Sequence, residues 1–215
     1  MSSHHIVRDE QEPALLIADP SALSLEYVEH LLEWSPTVIV TESALKEVLK
    51  WGIKIDVVVA AMSSLEQLKP GLQEQSPVQL LGFESDDLLA CAYIFLVDKS
   101  YHAVNVLADI YNSAVLDLSK SFKASMDSII FYNDQKWSYI HSGAYSKWVT
   151  TGHHIGIHPV AANTFFRSEG FYTDWENEML LEPIELTAEI TGKVTLQTNS
   201  KPLWVVEEVS IDVYK

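Results

Sequence analysis

The chain has 215 residues, 47% of them apolar, which is long for one compact domain, suits two small ones and is ample for real cores. Its formal charge of -16, with only two arginines, Arg8 and Arg167, among 14 basic residues, argues against binding nucleic-acid phosphates or anionic lipid. One cysteine, Cys91, excludes an internal disulfide and suits a cytoplasmic setting; no apolar run reaches the roughly 18 residues of a membrane span, and the first 15 residues lack the basic start and apolar centre of a secretion signal.

In chain order, Ala14 to Ala18 reads as a strand and Leu25 to Leu32 as a helix. Val38 to Val40 and Asp56 to Ala60 are β-branched runs of buried-strand length, and between them Ala44, Leu45, Val48, Leu49 and Trp51 recur at helical spacing. Ser43 is the expected cap of that helix and Gly52 its stop. Val78 to Leu81 follows as a strand, Asp87 to Val97 as a helix capped by Ser85, and Ala103 to Leu107 as a strand. Such alternation predicts an open, mostly parallel α/β sheet over residues 1–122.

Ser119 to Ser128, SKSFKASMDS, is polar without a clear period and is read as the crossing between domains. Beyond it Ile129 to Tyr132, Trp137 to His141, Thr164 to Arg167 and Val194 to Thr198 are strand-like, broken at Asn133-Asp134, Gly143, Gly152 and Asn199-Ser200. Leu203, Val205, Val209, Ile211 and Val213 then alternate with Trp204, Val206, Glu208, Ser210 and Asp212, as on a strand with two different faces. Residues 123–215 are therefore expected to form a C-terminal β-sandwich.

In an open α/β sheet, ligands sit outside the carboxyl ends of the strands, so Thr41 to Ser43, Ala61 to Ser64 and Glu84 to Asp87 are the places to look for chemistry. Glu42, Glu84, Asp86 and Asp87 could converge on one Mg²⁺; Asp86, Asp87 and Glu42 could equally serve helix N-termini by charge alone. None of the eight glycines forms GxGxxG or GxxxxGK[ST], which argues against a dinucleotide or P-loop site. On a strand His154 and His158 would share a face and could offer two imidazoles to a metal, with His153 beside them, but no third ligand is evident and ordinary strand positions explain them. His4 and His5 carry less weight. Trp148, Tyr172, Trp175 and Trp204 could stack on a flat or cationic ligand or simply fill the core. From Glu169 to Glu189 there are seven acids and no base, either a solvated face or one suited to a cationic small molecule.

Read together, these pieces resemble the thiamin pyrophosphokinase family over nearly the whole chain. Trp51-Gly52-Ile53-Lys54-Ile55-Asp56-Val57-Val58 is similar to the family's helix end followed by Gly-Ile-x-x-Asp and an apolar run. Glu42-Ser43-Ala44 falls on its Asp-Gly-small motif, Ala60-Ala61-Met62-Ser63-Ser64 on Gly-Asp-Phe-Asp-Ser, and Glu84-Ser85-Asp86-Asp87-Leu88 on Asp-x-Thr-Asp-Leu. Asp109 to Val115 replaces a glycine-rich segment bearing Arg and Asp-His. In the second half Ile155 to Pro159 and Glu169 to Tyr172 are similar to family segments, and Thr187-Ala188-Glu189 falls on Ser-Asn-Glu.

The resemblance implies an α/β domain followed by a thiamine-binding sandwich, a homodimer, and transfer of pyrophosphate from ATP to thiamine with Mg²⁺. It also implies that the replaced motifs leave a catalytically weak or inactive homologue, with a retained role in binding a thiamine-like ligand or a partner. The alternative is a divergent active enzyme, with Glu42, Glu84 and Asp87 holding Mg²⁺-ATP and Trp148, Tyr172, Thr187 and Glu189 facing thiamine.

Overall fold

The computed structural model describes residues 12–141, 143–199 and 201–209. His4, His5, Arg8, Ser200 and the continuation of the C-terminal alternation through Ser210, Ile211, Asp212 and Val213 lie outside the described residues. The chain divides into two compact units, the first ending at Asn133 and the second beginning at Asp134. Both residues at that passage have left-handed backbones, φ 53° and 54°, which Asn and Asp tolerate better than most residues.

In the first unit β1 (Ala14–Ile17), β2 (Val38–Thr41), β3 (Val57–Ala61), β4 (Gln79–Phe83), β5 (Ala103–Leu107) and β6 (Asp127–Tyr132) make a wholly parallel sheet in the order β6-β5-β1-β2-β3-β4. Every residue of β1 and β2 is buried, as parallel strands covered on both faces require. The crossovers carry α1 (Leu25–Leu32), α2 (Glu42–Val48), the short α3 (Leu65–Leu68), α4 (Leu88–Asp98) and α5 (Val115–Phe122). Gly52 ends the turn after α2 at φ 69°, its amide on the Leu49 carbonyl. Cys91 is buried on α4, and no helix among the described residues is long and apolar enough to cross a membrane.

Three local expectations are corrected. Thr41 occupies the cap position of α2, and Ser43 lies inside the helix with its hydroxyl 3.1 Å from that of Thr41. Asp87, not Ser85, caps α4: its Oδ1 accepts the Ala90 amide at 2.9 Å, while Ser85 Oγ accepts the Asp87 amide at 3.1 Å. The polar stretch 119–128 is the end of α5 and the start of β6, and the strand containing Ile129 to Tyr132 runs parallel to β5 inside the first unit.

The second unit is antiparallel throughout. Strands β7 (Gln135–Ile140), β9 (His154–Pro159), β12 (Ile184–Thr187) and β14 (Leu203–Glu208) pair in the order β12-β9-β14-β7, and β8 (Ala144–Val149), β10 (Thr164–Glu169), β11 (Glu178–Leu180) and β13 (Gly192–Thr198) in the order β11-β10-β13-β8. Ile155, Ile157, Leu186, Leu203 and Val205 from the first set pack with Val149, Phe166, Leu180, Val194 and Leu196 from the second. The fold is thus an open parallel α/β sheet followed by a β-sandwich. On β14 the alternation does separate two faces, but both are buried: Leu203 and Val205 enter the core, while Trp204 packs against Tyr139, ring centroids 5.0 Å apart.

Candidate functional site

In the first unit β2, β3 and β4 lie to one side of β1 and β5 to the other, so the direction of sheet growth reverses between β1 and β5. The crevice outside their carboxyl ends is the expected ligand position of such a sheet. Ile17 is paired with Leu107, which places Asp19 and Asp109 at equivalent points beyond neighbouring strands. Asp19 Oδ1 accepts the Ser21 amide at 2.9 Å and its hydroxyl at 2.7 Å. Asp109 accepts the Asn112 side-chain amide at 2.6 Å and the Tyr111 amide at 2.8 Å, bonds that hold its carboxyl below the ordinary range. Tyr132, at the end of β6, is pushed up by desolvation and by the charges of Asp109 and Asp19. The sequence signal for these two acids is that the runs LLI and NVL each end in Ala-Asp; the adjacency of β1 and β5 that unites them is not a local property.

The residues singled out from sequence are spread along the same edge. Glu42, the first residue of α2, turns Oε2 onto the Ala61 amide at 3.0 Å, so its carboxylate secures the tip of β3. Asp87 caps α4 as described, and Glu84 is exposed beyond β4. Among the described residues no three His, Cys, Asp or Glu side chains are gathered as metal ligands. Across the segments following β1 to β5, residues 18–24, 42–44, 62–64, 84–87 and 108–114, there are six acids, Asp19, Glu42, Glu84, Asp86, Asp87 and Asp109, and no Lys or Arg.

The second unit holds a charge centre that sequence reasoning missed. Glu207 follows Leu203 and Val205 on the inward face of β14 and is buried, 3% exposed. Its carboxylate pairs with Lys147 of β8, accepts the Tyr145 hydroxyl at 3.0 Å, meets His153 Nε2 at 3.1 Å, and lies 3.8 Å from Lys136, its register partner on β7. Burial alone would raise the Glu207 carboxyl, but the Lys147 hydrogen bond and charge, the Lys136 charge and the His153 bond outweigh it and hold the group below its usual range. Burial and the Glu207 charge push Tyr145 strongly upward. Nothing within VVEEV marks the first glutamate as buried, because its partners are distant in sequence.

Tyr172, Thr187 and Glu189 are brought together by the bridge between Phe171 and Ala188: the Tyr172 amide donates to the Thr187 carbonyl at 3.0 Å and the Glu189 amide to that of Gly170 at 3.0 Å. Tyr172 is 65% exposed. Trp148, 74% exposed, stands on the outer face of β8 and is registered with Lys193. Trp175 is half-buried against Phe166, and Trp204 is buried. The histidines separate: His153 serves Glu207, His154 Nδ1 lies 3.0 Å from Glu185 Oε1 and 3.2 Å from Thr187 Oγ1, and His158 packs against Trp137 with ring centroids 4.7 Å apart. Burial holds the His158 imidazole below its ordinary value. His154 and His158 share the outer face of β9, as the strand period predicts, and border a groove of about 460 Å³ with Gly156 between them.

No protein-family model and no curated protein sequence matches the chain. Solved structures do. The thiamine pyrophosphokinase of Bacillus subtilis superposes with a TM-score of 0.73 at 12% identity, over 93% of this chain and 100% of that one. That of Geobacillus thermodenitrificans gives 0.71 at 13% identity over 93% and 99%, and that of Candida albicans 0.74 at 7% identity over 94% and 90%. The chain therefore has the thiamin pyrophosphokinase fold in both halves.

Proposed function

We propose that the chain is a thiamin pyrophosphokinase-like protein with little or no pyrophosphoryl transfer, retaining a binding role for a small thiamine-like cation. The observation that carries this reading is the uniform sign of the parallel-strand tips: six acids and no Lys or Arg where a triphosphate would have to sit. Phosphoryl transfer is mainly positioning and charge stabilisation, and here no Lys or Arg offsets the phosphate charge while the acids are not gathered to bring in Mg²⁺ in their place.

The donor set does not fit Mg²⁺-ATP. Ala61 and Ser63 supply no carboxylate, Glu42 and Asp87 each commit an oxygen to a backbone amide, and the three residual acids are not gathered as one ligand group. The second unit suits a cation: Tyr172 offers an exposed ring, and Thr187 and Glu189 a hydroxyl and a carboxylate on the same bridged segment. Trp148 offers a further exposed ring on another face. A cytoplasmic homodimer belongs to the same reading, supported by β8 and β11, which end their set of strands and leave edges that pair with nothing among the described residues.

Thermal unfolding tests the reading, since a ligand that binds only the folded chain raises its apparent stability. Thiamine should raise the midpoint and Mg²⁺-ATP should not; the reverse result would overturn the proposal.

A further inference from the structure

We propose that a flat organic monocation binds in the notch over Gly156, on the outer face of the sandwich strands β12, β9 and β14. This rests on reading the second unit as a cation-binding module, and it moves the ligand from the loop carrying Tyr172 and Glu189 to the sheet face beside Thr187.

The notch follows from strand parity. Ile155 and Ile157 enter the core, so His154, Gly156 and His158 face outward. Gly156 is registered with Glu185 on β12 and Val206 on β14, and a Cβ on it would lie 3.3 Å from the Val206 Cβ. Glycine weakens a strand interior and often marks a site of close approach. Here its missing side chain leaves room for the His158 imidazole, whose Nε2 lies 3.8 Å from where a Cβ would be, and open backbone beside it. Four residues at about 3.3 Å each put the His154 and His158 Cα atoms roughly 13 Å apart, and two strand spacings make the notch roughly 9.6 Å across. The two imidazoles are turned to different partners, His154 to Glu185 and His158 to Trp137, and are not gathered as metal ligands. A single ring or fused pair of rings fits the space.

The lining selects charge and shape. Glu185 and Glu208 flank the floor, no Lys or Arg lines the groove, and the Glu207 charge is already taken by Lys147. His154, bound to both Glu185 and Thr187, fixes the Glu185 carboxylate at one end. Burial lowers the His158 imidazole below its ordinary value, which disfavours the charge that would repel a cation. Pro183 and Val206 supply apolar contact for a ring. The volume, about 460 Å³, lies within the roughly 300–1,000 Å³ of small-molecule sites.

Titrations of the full chain followed by NMR, with 1-methylnicotinamide as cation, neutral nicotinamide as its match and thiamine as a third probe, test this. Both cations should shift the Gly156 amide and the His154 and His158 imidazole signals saturably, with nicotinamide, which lacks the charge facing Glu185 and Glu208, roughly tenfold weaker. Gly156→Val should abolish these shifts; Gly156→Ala serves if the valine variant fails to fold, and Glu185→Gln should weaken binding roughly two- to fivefold. Equal binding of nicotinamide, or full affinity in the folded glycine variant, would overturn the notch. Thiamine shifts confined to Tyr172, Thr187 and Glu189 would overturn the notch but leave the cation-binding reading intact, whereas no saturable shift anywhere would overturn both.

Discussion

The Glu42 carboxylate accepts the Ala61 amide at 3.0 Å, tying the start of α2 to the end of β3. An acid at a strand tip is thereby occupied in holding the sheet edge together. Glu42→Gln keeps an acceptor and should change stability by less than about 0.5 kcal/mol, whereas Glu42→Ala leaves the amide unpartnered and should cost about 1 kcal/mol. Urea denaturation of the two variants measures the difference; equal losses would contradict the assigned role.

Asp87 behaves as a helix cap, with Oδ1 on the Ala90 amide. Asp87→Asn should be nearly neutral and Asp87→Ala should cost about 1 kcal/mol in thermal or urea unfolding. A large loss in the asparagine variant would mean that the negative charge, and not the acceptor, is what the position needs.

Glu207 makes the sandwich acid-sensitive. Its folded pKa lies below the ordinary value, so its contribution is complete above that value and is lost as pH falls through the depressed folded pKa. Glu207→Gln should flatten the acid limb of the stability curve and cost about 1–2 kcal/mol at pH 7. Lys147→Met leaves the carboxylate buried with weaker partners and should cost more, about 2–4 kcal/mol. Urea midpoints across pH 3 to 7 report both effects.

Tyr93 is fully buried on α4, and its hydroxyl meets Ser119 of α5 at 2.9 Å. Burial drives its pKa upward, against the opposing Ser119 bond. Tyr93→Phe keeps the ring contact with Phe122, at 5.5 Å, and should cost about 1 kcal/mol in urea unfolding.

Where residues are buried on all sides, the fold is legible in the chain. β1, β2, β3 and β5 are apolar runs, α1 has the predicted limits, and Gly52 stops the turn after α2. Helix α5 is hidden because it buries only Val115 and Ser119, a stripe too thin to stand out in VLDLSKSF. Caps shift by two residues because Thr41, Ser43, Ser85 and Asp87 all carry suitable oxygens, and only the backbone decides among them. The strand tips are legible in the sequence, but the pair at the sheet's reversal is not: Asp19 and Asp109 follow neighbouring strands through the β1–β5 pairing, which local pattern cannot encode. Glu207 escaped notice because its burial depends on Lys147 and Tyr145, about 60 residues earlier in the chain. The β9 period did forecast that His154 and His158 share a face.

The most direct test incubates the purified chain with thiamine, ATP and Mg²⁺ and quantifies thiamine diphosphate and AMP together, beside an authentic thiamin pyrophosphokinase. The acidic, cation-free strand tips predict neither product while the control turns over. Matched formation of both products, lost in Glu42→Gln, would show that Glu42 serves a working metal site and would contradict the account.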